Sequence, residues 1–494
     1  MTAPARALCS RPISQGVLVL TAILLVGLCL RLWGIGFGLP YEYHVDEVQY
    51  VRQAATMGAE GLEPVWWNNP PLYKYVLLAE YVGLFGVGKV LGWYTSISDF
   101  GAQSALDPTR LYLLSRGTTA LLGTATVLVV YWLGKVAYNR RVGLLASWFL
   151  AVGFLHVRDS HYAVNDVPLT FFVTVALGAT VMIVQSGQRR WYALAGVSLG
   201  LGFATKYSAI FAAVPLVVAH LLSPGVKLKH LSDLQVSRFL VAAGTAILAA
   251  VVASPYFLLT PANVAKDAYE ALFLAGRHGF QGWQIDPAGG YVFYLKTLVW
   301  GLGWGLALLA LAGLVVALLR HRPEDVVLLS LPLVTYVVMG RQRMYFARFV
   351  LPMVPALLVL GASLHESLCK GLVSNQRLVG MAVIVGASLL AAQPLACSLR
   401  LDYLLTRTDT RTLAKQWIEA NIPTAAKIAF DWPVHGPPLA TAERPTPFSH
   451  AIYDVTTVGG TGLSDHPLAW YDERRFGYLV ASSFIYRIPL GDQE

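Results

Sequence analysis

The fold class is decided by the first long apolar run. It covers residues 17–36 and reads VLVLTAILLVGLCLRLWGIG. Its length matches the roughly 20 apolar residues that cross the hydrocarbon core of a bilayer. Arg6 and Arg11 precede the run and no small-residue cleavage site follows it, which predicts an uncleaved first helix with a cytoplasmic N-terminus. Arg31, near the outer end, either snorkels to the membrane surface or pairs with a charge near the site.

Similar apolar runs recur along the chain. Apolar residues make up 56% of the 494 residues and charged residues only 13%, against a usual charged share of roughly 25%. Ten further spanning helices are predicted, at 110–136, 142–156, 167–185, 192–205, 208–222, 238–257, 297–319, 325–340, 347–365 and 378–398. We therefore expect a polytopic α-helical membrane protein with about 11 transmembrane helices.

Residues 72–91 decide the topology. They carry Lys74, Glu80 and Lys89 among apolar residues, which favours an amphipathic helix in the membrane interface over a spanning helix. With this helix flat, the basic loops face the cytoplasm, as the positive-inside rule expects. These loops lie at 139–141, 188–190, 227–238, 320–322 and 370–377. Because much of the net charge of +9 lies in them, that charge does not indicate nucleic-acid binding.

The same topology collects several segments on the outer side. They are the first outer loop at 38–107, the shorter segments 156–166, 205–207, 258–296 and 341–346, and everything after about residue 399. The division predicts a transmembrane domain of residues 1–398 and a small extracytoplasmic α/β domain of residues 399–494. For that tail we expect a helix at 409–421 and strands at 427–430 and 478–484. Leu413, Trp417 and Ile418 are expected to share one face of the helix.

Two adjacent carboxylates, Asp46 and Glu47, stand in the outer stretch YEYHVDEVQY at 41–50. One interpretation has Asp46 capping a helix over 47–57, with Glu47 at its positive end. The other has a partly desolvated carboxylate, with a raised pKa, acting as the general base toward an acceptor hydroxyl. The residues alone leave both interpretations open.

The second outer loop, HVRDSHYAVND at 156–166, is dense in polar side chains. Asp166 either caps the next helix, ahead of Pro168, or supplies a second acid that faces the first across the site. Asp159 and His161 are candidate metal ligands. The loop lacks the spacing of a metal site, so a divalent metal is not favoured.

Basic residues on the outer side run against the positive-inside trend. Lys206 lies between two apolar runs, and Arg341, Arg343 and Arg348 lie in RQRMYFARFVLP at 341–352. Such side chains either anchor helices at lipid head groups or bind phosphate, for which the planar fork of arginine is well suited. Acids and bases gathered on one side favour an anionic lipid head group as a substrate.

Six short motifs occur in order along the chain. They are HVDE at 44–47, NPPLYKY at 69–75, RLYLLSR at 110–116, HYAVNDVP at 161–168, GFATKY at 202–207 and RFVLP at 348–352. Together they resemble the GT-C superfamily of polyprenyl-phosphate-sugar-dependent glycosyltransferases, in particular its protein O-mannosyltransferases and lipid A aminoarabinose transferases. The resemblance covers about residues 30–360. The chain departs from the aminoarabinose branch at Asn68-Asn69, where that branch has a Glu-Lys pair.

The resemblance implies an inverting glycosyltransferase embedded in the membrane. It maps the catalytic base onto Asp46, with Glu47 beside it, and a second acid onto Asp166. It also implies side chains that bind the substrate, with these candidates in or near the motifs: Lys74, His161, Tyr162, Lys206, Tyr207, Arg341, Arg343, Tyr345 and Arg348. The implied partners are a polyprenyl-phosphate-linked sugar donor, a lipid, glycan or protein acceptor, and the membrane lipids.

The implied location is a bacterial inner (plasma) membrane, with the active site and the tail extracytoplasmic. The alternative function is a secondary transporter or lipid flippase, which would also carry charge among its helices. Transporters commonly show paired inverted repeats and broken helices near the middle of the membrane. Neither is evident in this sequence, and the charges gather at one surface, which favours an enzyme.

Overall fold

The protein is a bundle of long α-helices followed by a small α/β tail. The computed structural model describes residues 15–64, 67–227, 234–270, 289–342, 344–373, 375–431, 435–442, 446–449, 451–458 and 462–483. In chain order the α-helices are α1 (Gln15–Leu32), α2 (Val45–Glu60), α3 (Leu72–Val90), α4 (Ile97–Leu106), α5 (Thr109–Ala137), α6 (Arg140–Val152), α7 (Phe154–Asp159), α8 (Asp166–Ser186), α9 (Arg189–Thr205), α10 (Ala213–Leu221), α11 (Val236–Ala253), α12 (Tyr256–Leu259), α13 (Pro261–Tyr269), α14 (Gly290–Arg320), α15 (Pro323–Gly340), α16 (Val354–Leu372), α17 (Gln376–Leu405), α18 (Thr410–Asn421) and α19 (Leu468–Glu473). Short 3₁₀ helices lie at Tyr207–Ala212, Ala347–Met353 and Gly462–Asp465.

Eight helices of the described ranges are long and apolar enough to cross a membrane. They are α1, α5, α8, α11, α14, α15, α16 with its preceding 3₁₀ turn, and α17. The prediction of a polytopic helical membrane protein is confirmed. The three other predicted spans correspond to shorter helices, namely α6 with 13 residues, α9 with 17 residues, and α10 with its 3₁₀ turn. The count of eleven spans stays a prediction.

The first outer loop folds into α2, α3 and α4 and packs on the bundle. Helix α3 begins directly after Pro71, matches the predicted amphipathic segment, and is outside the set of eight. It contacts α2 and α5. A cluster of buried side chains joins these elements to the second outer loop, and it includes Tyr50, Tyr73, Leu77, Tyr112 and Val164. The buried cluster holds α2 against the helix bundle.

Arg31 does not snorkel to the membrane surface. Its side chain is completely buried and donates hydrogen bonds to the carbonyls of Gly27, Leu150 and Ala151 at 2.7, 3.2 and 3.0 Å. Its Nη2 also lies 2.9 Å from Nδ1 of His156. The last carbonyls of α6 lack helical partners, so the guanidinium satisfies them from inside the bundle. The first of the two sequence interpretations of Arg31 is therefore wrong.

The tail begins where α17 ends and contains a three-stranded parallel sheet. Its strands are β1 (Lys427–Phe430), β2 (Asp454–Thr457) and β3 (Tyr478–Val480), in the order β2-β1-β3. Lys427 pairs with Asp454, and Ile428 pairs with Tyr478. The sequence predicts β1 with these bounds, whereas β2 was not predicted and β3 ends earlier than expected. Residue 484, the predicted end of the last strand, lies outside the described residues.

Helix α18 is present as predicted, but its buried face differs from the expected one. The Asp409 side chain accepts the backbone N–H of Arg411 and caps the helix. Ile418 is buried as predicted, whereas Leu413 and Trp417 are 50% and 59% exposed. Lys415 takes a place on the buried side instead, because its ammonium donates to Glu419 and to the carbonyl of Phe448 at 2.6 and 2.7 Å. The predicted apolar face is therefore wrong for two of its three residues.

Candidate active site

The first turn of α2 separates the two adjacent acids. His44, not Asp46, is the N-cap, and its Nδ1 accepts the backbone N–H of Glu47 at 3.4 Å. The predicted capping role of Asp46 is therefore wrong, because the helix begins at Val45 and Asp46 already lies inside it. Successive residues of an α-helix point about 100° apart. Asp46 and Glu47 consequently face different surroundings.

Glu47 points into the protein and forms a buried ion pair. Its two carboxylate oxygens accept Nε and Nη2 of Arg116, each at 2.8 Å, and both side chains are 0% exposed. The backbone N–H of Ala163 donates a third hydrogen bond at 2.7 Å. Arg116 also donates to the carbonyls of Ile35 and Phe37 at 2.8 and 3.0 Å. The pair ties α2, α5 and two loops together, which fits a structural role rather than the proposed place in the catalytic pair.

Asp46 points outward and belongs to a cluster of four charges. Its carboxylate lies 3.1 Å from Nη2 of Arg348, and its side chain is 34% exposed. Nε of Arg348 lies 3.5 Å from the Asp166 carboxylate, which also accepts Nζ of Lys206 at 2.6 Å. We call Asp46, Asp166, Lys206 and Arg348 the four-charge cluster. Four separate segments of the chain thus place two acids and two bases in one continuous network.

Each member of the four-charge cluster lies near an end of a helix. Asp166 is the first residue of α8, Lys206 follows the last residue of α9, and Arg348 lies in the 3₁₀ turn before α16. The side chain of Asp166 is only 3% exposed, so the two cations are its immediate electrostatic partners. A buried carboxylate needs such partners because desolvation opposes its charge. Asp166 is therefore suited to orienting Lys206 and Arg348.

A cavity of about 1190 Å³ opens beside the four-charge cluster. Asp46 and Arg348 line it directly, whereas Asp166 and Lys206 are not among its lining residues. Other lining residues of the membrane part are Tyr43, His44, Gln49, Arg158, Asp159, Tyr162 and Phe346. Burial, reinforced by Arg348, Arg116 and Arg158 and opposed by Glu47, lowers the pKa of His44 to about 4, so its imidazole is neutral at neutral pH. The charge at this wall of the cavity therefore comes from the Asp and Arg side chains.

The tail also lines the cavity. It contributes Asp409, Thr410, Arg411, Ala414, His435, Pro437, Val480, Ala481, Ser482 and Ser483. The hydroxyl of Tyr43 lies 2.6 Å from Oγ1 of Thr412, and Nη1 of Arg411 donates to the carbonyl of Tyr43 at 3.1 Å. The Arg411 guanidinium also stacks 3.9 Å from the centre of the Tyr43 ring. Through Tyr43, the tail is attached three residues before Asp46.

The remaining predicted substrate-binding residues have different positions. Tyr162 lines the cavity and stacks on His44 with ring centres 4.2 Å apart. His161 is buried, with its ring nitrogens near the carbonyls of Val157 and Trp33 at 2.9 and 3.1 Å, and it does not line the cavity. The structure thus contradicts a direct substrate contact for His161, because its polar atoms are engaged by the backbone.

Four further predicted residues do not line the cavity. Lys74 is buried in α3, the Tyr207 hydroxyl donates to the carbonyl of Trp67 at 3.1 Å, and Tyr345 packs on Phe293. Arg341 is exposed at the end of α15. Arg343 lies outside the described residues. In the part of the chain that the structure describes, no three His, Cys, Asp or Glu side chains form a group that could hold a metal ion.

Sequence reasoning assigned no role to several residues of the site. Arg116 lies in a predicted span, and an ionisable side chain there calls for a partner, which was the available signal. Arg158 pairs with Asp159 at 2.8 Å and lines the cavity beside it. Arg411 and His435 of the tail carried no signal, because their proximity to Asp46 depends on how the tail packs on the first outer loop.

Comparison with known proteins gives relatives that are named as sugar transferases. The family model for "Dolichyl-phosphate-mannose-protein mannosyltransferase" matches residues 20–258. Undecaprenyl phosphate-alpha-4-amino-4-deoxy-L-arabinose arabinosyl transferase of Pectobacterium carotovorum is 24% identical over 300 residues, which cover 60% of this chain and 50% of that protein. Its counterpart from Pectobacterium atrosepticum is 25% identical over 269 residues, 53% of this chain and 44% of that protein. The chain thus spans about half the length of the curated relatives that it matches.

Solved structures share the fold at low sequence identity. ArnT from Cupriavidus metallidurans, bound to undecaprenyl phosphate, gives a TM-score of 0.55 at 14% identity and covers 97% of this chain and 94% of its own. The oligosaccharyltransferase of Archaeoglobus fulgidus also gives 0.55 at 14% identity, over 84% of this chain and 62% of its own. The chain is thus similar in sequence to glycosyltransferases over about half of its length, and it shares the fold of these solved structures.

Proposed function

We propose that the protein is an inverting glycosyltransferase that moves a sugar from a polyprenyl-phosphate donor to a hydroxyl acceptor. The observation that carries this proposal is the ion pair between Asp46 and Arg348 at the cavity wall. It supplies a carboxylate that can take a proton and, beside it, a guanidinium that can bind a phosphate. The relatives described above, all named as transferases, support the same function and give no support to a transporter or flippase.

In the proposed reaction Asp46 is the general base. It takes the proton of the acceptor hydroxyl while the hydroxyl oxygen forms a bond to the anomeric carbon of the donor sugar. The bond between that carbon and the phosphate oxygen breaks on the opposite face, and the polyprenyl phosphate leaves with the electron pair. Attack opposite to the leaving group inverts the anomeric configuration. The carboxylate is only partly exposed, so water is partly excluded from it.

Arg348 would bind the donor phosphate and stabilise the charge that grows as it leaves, and Lys206, bound to Asp166, would add positive charge behind it. In the absence of donor these cations are paired with Asp46 and Asp166. A phosphate near Arg348 competes with Asp46 for the guanidinium, because both are anions that bind the same planar fork of donors. Donor binding would thereby release the Asp46 carboxylate to accept a proton. Asp166 would keep both cations in place.

The proposed location is the inner membrane of a bacterium, with the N-terminus in the cytoplasm and α3 flat in the interface. Residues 1–398 would form the catalytic membrane domain, and residues 399–494 would form an extracytoplasmic domain. The distribution of basic loops and the exclusion of α3 from the apolar spans support this orientation. An alkaline phosphatase fusion after residue 89 is expected to be active outside the cytoplasm. A cytoplasmic signal there would contradict the flat position of α3.

The experiment that tests the function is transfer of labelled sugar from polyprenyl-phosphate lipids extracted from cells that make the protein. Mass analysis of lipids, glycans and proteins in cells with and without the gene identifies donor and acceptor. Asp46→Asn is expected to lower the transfer rate by about 10²- to 10⁴-fold, the usual contribution of a general base. Glu60→Gln is the matched control, because Glu60 is an exposed acid at the other end of α2. Undiminished transfer by Asp46→Asn would rule out the base role.

A further inference from the structure

The tail presents one particular edge of its sheet to the cavity. In a parallel sheet the carboxyl ends of all strands lie at the same edge, and ligands of open α/β sheets bind outside that edge. β1 and β3 are parallel neighbours, and β3 ends at Val480. Val480, Ala481, Ser482 and Ser483 line the cavity, as do His435 and Pro437 from the segment after β1. The carboxyl edge of the tail sheet therefore lines the same cavity as Asp46.

This edge is built by a buried carboxylate. Asp431 directly follows β1, is 2% exposed, and accepts two backbone N–H groups. One belongs to Leu463 at 2.8 Å and the other to Ser482 at 2.6 Å. Charge-assisted bonds of this kind are stronger than neutral ones. Asp431 thus fixes the loop after β3, and with it the two serines, at the wall of the cavity.

The cavity is larger than the donor head group requires. Small-molecule pockets of roughly 300–1,000 Å³ enclose most of a drug-sized ligand, whereas this cavity measures about 1190 Å³. The donor contributes one sugar and one phosphate near Arg348 and Asp46. Ten residues of the tail line the same cavity, so the tail can contact a ligand in the remaining volume.

The chemistry of the lining indicates what fills this volume. Among the described residues, three Asp and three Arg side chains line the cavity, namely Asp46, Asp159, Asp409, Arg158, Arg348 and Arg411. The two signs balance, so the lining favours a neutral ligand with many groups that both donate and accept hydrogen bonds. The rings of Tyr43, Tyr162 and Phe346 add flat apolar surfaces. Saccharides, with many hydroxyls and apolar C–H faces, match both properties.

Two other acceptor classes fit less well. A lipid acyl chain would desolvate the charged side chains without replacing their hydrogen bonds. An extended peptide is usually bound along the open edge strand of a sheet, whereas the cavity meets the strand ends of this sheet. The balance of the lining thus favours a carbohydrate.

We propose that the carboxyl edge of the tail sheet, together with the start of α18, is the acceptor site and binds a saccharide whose hydroxyl faces Asp46. This inference rests on the proposed glycosyltransferase function. It assigns to the tail the choice of the acceptor and to the membrane part the binding of the donor. Ala414 and Ala481 lie on two different elements of this site and have small side chains, so each can be enlarged to fill it.

The test compares Ala414→Trp and Ala481→Trp with Ala420→Trp, using the full chain in lipid nanodiscs. Ala420 is exposed near the end of the same helix as Ala414 and does not line the cavity. The donor probe is the labelled polyprenyl-phosphate lipid extract. The acceptor probes are oligosaccharides released from the same cells and, separately, a Ser/Thr-containing peptide. Release of label to water measures donor use without an acceptor.

Both cavity variants are expected to lose about tenfold or more in kcat/KM for the oligosaccharide, measured relative to each variant's own release of label to water. Ala420→Trp is expected to match the wild type in both assays. Unchanged oligosaccharide transfer by both cavity variants would overturn the inference, and so would transfer to the peptide but not to the oligosaccharide. If the wild type releases no label to water or to either acceptor, the proposed function itself fails, which is a distinct outcome.

Discussion

Nη2 of Arg348 lies 3.1 Å from the carboxylate of Asp46, and Nε of the same guanidinium lies 3.5 Å from that of Asp166. One side chain therefore holds the proposed base and the acid that orients Lys206. Two carboxylates this close to one another would repel without the cation between them. Before a donor binds, Arg348 thus neutralises Asp46 and Asp166. A bound phosphate would then replace part of these interactions.

Replacing this arginine by lysine is expected to weaken donor binding. Arg348→Lys keeps the charge but loses the planar fork of donors that reaches both acids and that would bind the phosphate. We expect the Kd for undecaprenyl phosphate, measured by intrinsic tryptophan fluorescence, to rise about tenfold, equivalent to about 1.4 kcal/mol. Arg400→Lys is the control, because Arg400 is exposed on α17 and away from the cavity. Equal affinity of Arg348→Lys and the wild type would argue against phosphate binding by Arg348.

The buried pair of Glu47 and Arg116 is expected to govern stability. Glu47→Gln leaves the Arg116 guanidinium buried without its counter-charge, and loss of one partner of a buried pair typically costs about 3–5 kcal/mol. The Tm in detergent should fall markedly. The double variant Glu47→Gln/Arg116→Met should recover part of that loss, because it removes the unpaired charge. A Glu47→Gln protein with an unchanged Tm and no transferase activity would instead indicate that Glu47 takes part in the reaction.

His44, the N-cap residue of α2, is expected to make the free energy of unfolding depend on pH. Burial lowers the pKa of His44 to about 4 in the folded protein, whereas an unfolded histidine titrates near 6.5. The unfolded state therefore binds the proton first, so stability falls as the pH drops from about 6.5 toward about 4. Protonation of Nδ1 would also remove the acceptor for the Glu47 N–H.

His44→Asn provides the comparison for this effect, because asparagine is a good N-cap and does not titrate. We expect the Tm of this variant to fall less between about pH 7 and pH 4 than that of the wild type. The difference between the two curves isolates His44 from the other titrating groups. Superimposable curves would mean that His44 has no such influence.

Attachment of the tail is expected to depend on the contact between Tyr43 and Thr412. Thr412→Val keeps the shape of the side chain but removes the partner of the Tyr43 hydroxyl, a loss of about 1 kcal/mol. Limited proteolysis should then cleave the tail faster, while the Tm of the membrane part stays the same. Thr406→Val is the control, since Thr406 only bonds a carbonyl within its own helix end. Equal cleavage rates would show that this bond does not hold the tail.

Much of the site was predictable because its residues lie at the ends of apolar runs. The distribution of basic residues among the loops predicts that Asp46, Asp166, Lys206 and Arg348 lie on one side of the membrane. In the structure these four side chains form one network. The difference between Asp46 and Glu47 was not predictable. It depends on the direction in which each side chain of α2 points. That direction follows from the N-cap residue, which lies two residues earlier than expected.

Other errors also arise from tertiary packing. The pattern of His161 is that of a polar loop residue, yet neighbouring carbonyls enclose it. Lys415 replaces apolar residues on the buried face of α18, because buried oxygen atoms accept its ammonium. Strand β2 is short and mostly polar, and it pairs with β1 along its whole length. The local sequence pattern does not reveal the partners that come from distant parts of the chain, such as the Trp33 carbonyl for His161 and the Phe448 carbonyl for Lys415.

Tyr43 gives the molecule a thermodynamic connection between its two parts. The tail bonds both the hydroxyl and the carbonyl of this residue, and the helix that carries Asp46 starts two residues later. Coupling between two binding events is reciprocal. If a ligand in the cavity strengthens the attachment of the tail to Tyr43, then attachment of the tail raises the affinity of the cavity for that ligand by the same factor. Occupancy of the site and attachment of the tail can therefore each serve as a measure of the other.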